Sequence, residues 1–491
     1  MTSAELPRLR SATGRWILLA TILGSSVAML DATVVNIALP RIGSDLHTDV
    51  AGLQWTLNGY TLTLASFILL GGSLGDKLGR RKVFVWGTIG FAIASVLCGA
   101  AVNIEMLVLA RVLQGVAGAM LTPGSLALIS SSIDARDQGS AIGLWSGFGG
   151  VAGAIGPFLG GWLIELAGWR SIFFINVPLA VIVVLVALRH VPESHDPNAS
   201  ARLDIPGAFV VAVALGALTF GLIDEMPLLV LAGVLLLAVF VVIERRSDHP
   251  LVPPALFRSR VFTAANLVTL AVYAALGGVF FLLILELQLV AGYSPLRSGV
   301  ATIPVTLLML VLSAPAGRWA QVHGPRIPMA LGPVLAAAGL VLLLRISADT
   351  NYFTDVLPGI VVFGLGLSAL VAPLTGAVLG AVPSSEAGIA SGVNNAVART
   401  AQLLAVAALP GLAGISGSLT DPVEFDRGFG VAMWICVGLL LAGALLAAVL
   451  LRPPRHVPDM DNVDCLPQCA AASGPALAPA KTLRPGEEPG E

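Results

Sequence analysis

The chain has 491 residues, of which 56% are hydrophobic and 11% are charged, with a formal net charge of -2 at pH 7. A soluble domain carries about 25% charged residues. The composition therefore excludes an ordinary soluble protein and indicates a polytopic membrane protein. The small net charge and the lack of a basic block give no reason to expect a nucleic-acid partner.

Apolar runs recur along the chain, and each approaches the ~20 residues that a helix needs to cross a bilayer. The pair at 206–223 and 227–243 could instead form one re-entrant element, because 227–243 is the shortest run. The predicted fold class is an all-α polytopic membrane protein with about 14 transmembrane helices. We place them at 16–39, 52–72, 83–101, 106–130, 140–163, 172–189, 206–223, 227–243, 262–290, 299–319, 328–345, 356–379, 387–411 and 429–451.

The first run differs from a cleaved signal peptide. It follows three arginines, but it contains Asp31 and ends at Pro40-Arg41 without a small-residue cleavage site, so we expect a retained helix. A carboxylate inside a membrane helix costs about 2.5–3.5 kcal/mol on insertion scales. Asp31 is therefore expected either to be paired or to move protons or cations.

The distribution of Lys and Arg predicts the orientation. Twenty of these residues fall on one side of the predicted spans and five on the other, while Arg111 and Arg399 lie inside apolar runs. Positive charge accumulates on the cytoplasmic side. We therefore expect both termini in the cytoplasm of a bacterial cell, with the protein in its inner or plasma membrane.

An internal repeat divides the chain. Gly72–Arg81 has a weaker copy at Gly317–Arg326, and Asp137–Gly143 has one at Glu386–Gly392, at nearly the same offset. Duplicated halves around a midplane site are typical of secondary transporters. We expect two six-helix pseudo-repeats with two extra helices between them. The predicted divisions are a first half at 1–190, an insert with linkers at 191–260, a second half at 261–451 and a disordered cytoplasmic tail at 452–491.

The loop Gly72–Lys82 resembles the signature of the major facilitator superfamily between helices 2 and 3. The resemblance implies a conformational latch in which the start of helix 13, Ser384-Ser385-Glu386, receives Asp76, and Asp134 or Asp137 receives the arginines. The alternative is simple anchoring by positive charge on the cytoplasmic side. The latch residues are Gly72, Asp76, Gly79, Arg80 and Arg81.

Further motifs follow in the family's order. Arg111-Val-Leu-Gln114-Gly115 is similar to the proton-linked arginine motif of helix 4, and Gly153–Gly161 is similar to the antiporter motif of helix 5. Leu30–Pro40 resembles the helix 1 signature of the fourteen-helix drug:proton antiporters. The stretches Gln54–Tyr60 and Trp169–Pro178 agree with that subgroup.

Small residues on helix 5 let another helix approach closely. We interpret them as a packed seam that blocks leak and makes exchange obligatory, although ordinary helix packing uses the same residues. The repeat places Gln402, Ala405 and Val406 opposite the seam, so the second half has lost it. The seam residues are Gly153, Gly156, Pro157, Gly160 and Gly161.

Arg111 is always protonated and needs an acceptor inside the membrane. Asp31 is its nearest candidate in the same half. We predict that Asp31 gains and loses a proton and that Arg111 tunes it; a static buried ion pair is the alternative.

In the second half, Glu286 and Arg399 are the membrane charges. Glu286 is expected to bind a cationic substrate, to act as a second proton site, or to reach the outer interface. Arg399 is expected to attract anionic groups or to pair with Glu286. It shares a helix face with Asn395 and Gln402. The candidate substrate or second proton residues are Glu286, Arg399, Asn36 and Gln402.

These features predict a secondary transporter that exports amphipathic organic compounds of the multidrug type in exchange for protons. A related exporter dedicated to one lipid, siderophore or secreted metabolite is the alternative. No nucleophile–base set or phosphate loop indicates an enzyme. Cys465 and Cys469 have only His456 nearby as a possible third metal ligand, so we interpret them as free thiols. We expect no metal and no cofactor besides the proton gradient. The expected partners are a small-molecule substrate, protons and the lipid bilayer, with the chain acting as a monomer.

Overall fold

The computed structural model describes most of the chain. It leaves out the predicted tail with its two cysteines, and Ser384 and Ser385 of the expected latch partner. The side chains of Ala135, Ser146 and Ala154 also lie outside the description. The described ranges contain helices and no strand, and they are 7–195, 204–247, 250–383, 386–415 and 421–451.

Long helices follow the predicted runs in number and order. Thirteen of those described are long and apolar enough to cross a membrane. The remaining one, α13, carries the polar residues Asn394, Asn395, Arg399 and Gln402. The helices are α1 (Ala12–Asp45), α2 (Val50–Leu78), α3 (Arg80–Gly99), α4 (Ile104–Ser132), α5 (Ala135–Ala167), α6 (Ser171–His190), α7 (Ile205–Ile223), α8 (Pro227–Arg246), α9 (Arg260–Leu289), α10 (Pro295–His323), α11 (Arg326–Leu343), α12 (Leu357–Gly380), α13 (Ala387–Leu412) and α14 (Pro422–Leu450).

The extra helices α7 and α8 are separate spans of 19 and 20 residues, so the re-entrant alternative is wrong. A tight turn connects them, and Glu225 adopts a positive φ of 54° in that turn.

The internal repeat is visible in the backbone. Helix α2 ends at Gly79 with a φ of 112°, and α10 ends at Gly324 with a φ of 88°. These are equivalent positions in the repeated loop. Glycine adopts such conformations without a Cβ penalty. The turn therefore persists in the second half, although most charges of the loop do not.

Two large clusters of buried apolar side chains hold most of the bundle together. The smaller cluster, with Phe84 and Leu121, involves mainly the first six helices. The larger cluster includes Ile37 and Phe173 from the first half together with α9 to α14. Both of these residues lie toward the predicted outer end, where the odd-numbered helices end. The two halves therefore share a core at that end. Large apolar side chains such as Leu109 and Leu185 are exposed on the outside of the bundle, as a lipid-facing surface requires.

Candidate transport site

Asp31 and Arg111 form a buried ion pair. The Arg111 Nη1 atom lies 2.5 Å from Asp31 Oδ2, and the two side chains are 1% and 0% exposed. Helix α1 positions the carboxylate and α4 the guanidinium. The pairing expected from the sequence is therefore present. A buried pair of this kind requires further hydrogen bonds to offset the desolvation of both charges.

Two side-chain amides supply those bonds on the carboxylate side. Gln114 donates to Asp31 Oδ1 at 2.8 Å, and Asn176 donates to the same oxygen at 3.2 Å. Both amides also donate to Ser95 Oγ, at 2.9 and 3.2 Å. Helices α1, α3, α4 and α6 thus meet at one polar cluster, which we call the Asp31 network.

Arg111 has acceptors besides Asp31. Its Nη1 donates to Gln114 Oε1 at 2.7 Å, and its Nε donates to the Thr56 carbonyl at 3.1 Å. Its guanidinium lies over the Tyr60 ring, 4.4 Å from the centroid. A cation over an aromatic face is stabilised by the ring quadrupole. Arg111 therefore keeps favourable contacts when Asp31 carries no charge.

Arg399 of α13 lies near Tyr60 of α2 and Tyr273 of α9, close enough to act on both electrostatically. Tyr60 therefore experiences the charges of both the Asp31 network and Arg399. None of the ion pairs within the described ranges includes Arg399, and the expected alternative, a pair with Glu286, is not formed. The charge remains available to an anionic or electron-rich group.

The other predicted substrate residues have varied surroundings. Asn36 donates to the Ala32 carbonyl of its own helix at 3.1 Å. Gln402 packs against α9, where a Cβ at Gly277 would lie 2.8 Å from its Cα. Asn394 bonds α9 directly, donating to Asn266 Oδ1 at 3.1 Å and Thr269 Oγ1 at 2.8 Å. The polar side of α13 is thus partly engaged in packing.

Glu286 has a different environment from Asp31. It is 0% exposed, so it does not reach the outer interface. Neither of its carboxyl oxygens has a hydrogen-bond partner within the described ranges. The charged group that acts on it is the carboxyl of Asp426, near the start of α14.

The expected latch loop contacts itself and the segment that follows α6. Arg80 pairs with Asp76 at 2.8 Å, and Arg81 lies 3.7 Å from Glu193 beyond α6. Asp134 instead pairs with Arg136, and Asp137 accepts from the Leu9 backbone. The expectation that Asp134 or Asp137 receives the arginines is therefore wrong.

The glycines around the latch differ in how much room a side chain would have. Gly72 has only ordinary van der Waals contact with Pro123, whereas a Cβ at Gly71 would lie 2.1 Å from the Ala119 carbonyl oxygen. The close approach of α2 and α4 thus depends on Gly71, which the motif did not single out. Gly79 is constrained both by its positive φ and by the Glu193 carboxyl, since a Cβ there would lie 2.7 Å from Glu193 Oε1.

Close packing on α5 occurs at some of the expected seam glycines and not at others. A Cβ at Gly156 would lie 2.1 Å from Thr33 Oγ1, and one at Gly160 would lie 2.6 Å from Val34 Cγ1, both on α1. One at Gly161 would meet Leu296 of α10 at 2.6 Å. Gly153 has no atom within 4 Å of its hypothetical Cβ, so it does not belong to the packed seam.

The seam also joins the two halves. A Cβ at Gly299 of α10 would lie 2.3 Å from the Pro157 carbonyl oxygen of α5. Nearer the start of α5, at Gly147, Gly143 and Gly139, a Cβ would meet nothing within 4 Å. The described contacts of these glycines thus favour closure at the predicted outer end and space at the other end of α5.

Two glutamines bridge the halves at the closed end. Gln54 of α2 donates to the carbonyls of Val406 and Ala407 in α13, at 2.7 and 3.0 Å. Gln288 of α9 donates to the Ile37 carbonyl of α1 at 3.0 Å. In an uninterrupted helix, the Val406 carbonyl would accept from residue 410, but Pro410 has no N–H. Gln54 therefore supplies a bond that the helix itself lacks.

The sequence matches the model of the major facilitator superfamily over residues 21–405 and 267–464. The chain belongs to the major facilitator superfamily. It is accordingly a multi-pass membrane transporter and not an enzyme, and members of this superfamily are driven by ion gradients without a cofactor.

Relatives within the superfamily are bacterial. The puromycin resistance protein of Streptomyces alboniger is 35% identical over 91% of this chain and 93% of its own. The tetracenomycin C resistance and export protein of Streptomyces glaucescens is 35% identical over 80% of this chain and 74% of its own. The crystal structure of a D-xylose-proton symporter has a TM-score of 0.64 at 15% identity, covering 89% of this chain and 98% of its own. That likeness concerns the fold alone.

Several residues of the candidate site could not be identified from the sequence. Ser95 and Asn176 of the Asp31 network, the ring of Tyr60 and the carboxyl of Asp426 were not assigned a role. A signal existed for Gln114, which lies three residues after Arg111 and so shares its helix face. No spacing rule connects Asn176 or Ser95 to Asp31, because they come from other helices.

Proposed function

We propose that this superfamily member is a proton-driven exporter of amphipathic organic compounds, and that it belongs to the fourteen-helix drug:proton antiporters. The single observation that carries the proposal is the buried Asp31–Arg111 pair with its amide donors. The number of long helices and the names of the antibiotic-resistance relatives support it.

In this proposal Asp31 is the residue that gains and loses the proton. An ionised Asp31 accepts from Arg111, Gln114 and Asn176. When it is protonated, Arg111 stays charged but still has the Gln114 oxygen, the Thr56 carbonyl and the Tyr60 ring. The network can therefore hold both protonation states without leaving a buried charge unpartnered. A static ion pair would use the same hydrogen bonds. The response to an imposed pH gradient therefore distinguishes the two roles.

Proton entry supplies the energy. Moving one elementary charge inward through a membrane potential of 100 mV releases about 2.3 kcal/mol, with the pH gradient in addition. Every 1.4 kcal/mol corresponds to about a tenfold concentration ratio. One or two protons per cycle are thus sufficient to concentrate a compound outside the cell.

We assign substrate contact to the surroundings of Arg399. Its guanidinium has no carboxylate partner within the described ranges, and the half-buried ring of Tyr273 lies near it. Asn36 and Gln402 are proposed to contact substrate with it. Amphipathic compounds with an aromatic body and an electron-rich group fit such a site.

The latch and seam are proposed to control alternating access. In the latch, Asp76, Arg80 and Arg81 exchange their present partners when the cytoplasmic ends of the halves meet. The seam at Gly156, Gly160 and Gly161 keeps α5 close to α1 and α10, which prevents leak. Pro157 and Gly153 give α5 its local freedom, since a proline interrupts the helix hydrogen bonds.

We also propose the remaining organisation. The halves are 1–190 and 261–451, with the insert at 191–260, and both termini face the cytoplasm of the bacterial cell. A single chain contains both halves, so a monomer provides a complete transport path. The bias of Lys and Arg supports the orientation.

Asp31→Asn tests the proposal in proteoliposomes. Asparagine imitates the protonated acid, so an imposed pH gradient should no longer drive transport, while exchange of labelled for unlabelled compound continues. Puromycin and tetracenomycin C serve as probes. Glu105→Gln removes an exposed carboxyl on the first turn of α4 and acts as a control for the loss of charge. Gradient-driven transport that survives unchanged in Asp31→Asn contradicts the proton assignment.

The second candidate is an exporter dedicated to one physiological substrate such as a lipid, siderophore or secreted metabolite. Relatives named for single antibiotics, such as tetracenomycin C, favour it. A panel of cationic, neutral and anionic compounds distinguishes the two. Transport of many chemically unrelated members indicates the multidrug type, and transport of one chemical class indicates the dedicated exporter.

A further inference from the structure

Glu286 presents a chemical problem that the Asp31 network does not. Its side chain is fully buried at the predicted outer end of α9, and neither oxygen meets a hydrogen-bond donor within the described ranges. An ionised carboxylate has only acceptors, so it gains nothing from an environment without donors. Burial without a partner strongly disfavours its charged form.

The neighbouring group is another carboxyl. Asp426 of α14 interacts with Glu286, and its own side chain is partly exposed. If both carboxyl groups were ionised, they would repel each other. If one of them holds a proton, its O–H becomes a donor and the other becomes its acceptor. The contact is favourable only in that singly protonated form.

Cations in the surrounding helices do not neutralise the pair. Arg297 at the start of α10 lies over the Tyr293 ring, 4.6 Å from its centroid, and Arg427 of α14 is exposed. Neither arginine is within ion-pair distance of Glu286, whereas Asp426 acts on it directly. Glu424, on the first turn of α14, is exposed and adds a further negative charge at this end.

We infer that Glu286 and Asp426 together bind one proton, which Glu286 carries as its O–H and Asp426 accepts as a hydrogen bond. The pair is a second proton site, in the second half and at the predicted outer end. Separation of α9 and α14 or entry of water at that end removes the reason to share the proton, and the proton then leaves to water.

The role of the pair in exchange rests on the proton antiport proposed above, but its protonation does not. In the antiport cycle, a proton binds to this pair when the outer end closes. The structure has that end closed, because both halves contribute to one apolar core there. The pair then adds to the protons moved by Asp31. It also excludes Glu286 as a direct partner for cationic substrates, since a protonated, fully buried acid carries no charge to attract them.

Infrared difference spectroscopy on the purified full chain tests the inference without any substrate. A protonated acid has a C=O stretch that a carboxylate lacks. At neutral pH we expect this band in the wild type, its loss in Glu286→Gln, and a frequency shift in Asp426→Asn because the acceptor changes. Glu424→Gln, an exposed carboxyl on the same helix, should leave the band unchanged.

An absent band in the wild type, or a band that Glu286→Gln leaves intact, overturns the protonation of Glu286. A band that Asp426→Asn does not shift overturns the pairing. Transport provides a second arm: Glu286→Gln should lower the number of protons moved per puromycin molecule, while wild-type proteoliposomes that move no protons at all contradict the antiport proposal alone.

Discussion

The two halves of this transporter each bury a carboxylic acid, and they treat it in opposite ways. Asp31 is surrounded by donors: Arg111, Gln114 and Asn176 all direct N–H groups at it. Glu286 has none within the described ranges, and its neighbour is a second acid. The first environment stabilises a charge and the second stabilises a proton. Duplicated helices have therefore diverged into two kinds of acid site.

The largest expected difference between them concerns stability. Asp31→Leu leaves the Arg111 charge buried and without a counter-ion, which should cost about 3–5 kcal/mol of unfolding free energy. Glu286→Met replaces a neutral buried acid by an apolar side chain of similar size and should change stability by less than about 1 kcal/mol. Thermal unfolding in detergent measures both. Equal losses in the two variants would contradict the distinction between the sites.

A smaller effect is expected for the amides that serve each half. Asn176→Ala removes a donor to a charged group, which should cost about 1.5–3 kcal/mol. Asn394→Ala removes bonds to the neutral side chains Asn266 and Thr269 and should cost about 0.5–1.5 kcal/mol. The same thermal assay applies. If the order is reversed, Asn176 does not stabilise an ionised Asp31.

The seam provides a matched pair of glycines on one helix. Gly156→Ala places a methyl group against Thr33, two residues from Asp31, and overpacking of this kind costs about 1–3 kcal/mol. Gly153→Ala meets open space and should be neutral or stabilising by up to about 1 kcal/mol. Leak of protons through proteoliposomes should rise only in Gly156→Ala. A similar leak in both variants would show that close packing at Gly156 is not the barrier.

Much of the fold follows from composition and periodicity. Apolar runs near the length of a bilayer gave the helices in order, and the repeated glycine turn predicted Gly79 and Gly324 at equivalent positions. The pairing of Asp31 with Arg111 followed because a membrane charge requires a partner in the same half. These inferences depend on local sequence patterns or on the small number of charged residues within apolar runs. Both can be read from a single sequence.

The rest depends on which helix faces meet. Ser95 and Asn176 are ordinary polar residues until α3 and α6 bring them to Asp31. The separation of Gly156 from Gly153 is equally invisible in the motif, since both are glycines with similar spacing. The partner of Arg81 could not be predicted for the same reason: Glu193 lies outside every motif, yet the end of α6 places it beside Arg81.

The proline in α13 has a consequence for the resting state of the transporter. Pro410 leaves the Val406 carbonyl without its helical donor, and Gln54 of the opposite half replaces that donor only while the outer ends touch. Opening the outer end exchanges this bond for one to water. This bond contributes about 0.5–1.5 kcal/mol in favour of the form whose outer end is closed. In the orientation proposed above, that is the form open to the cytoplasm, where an exporter would load its compound.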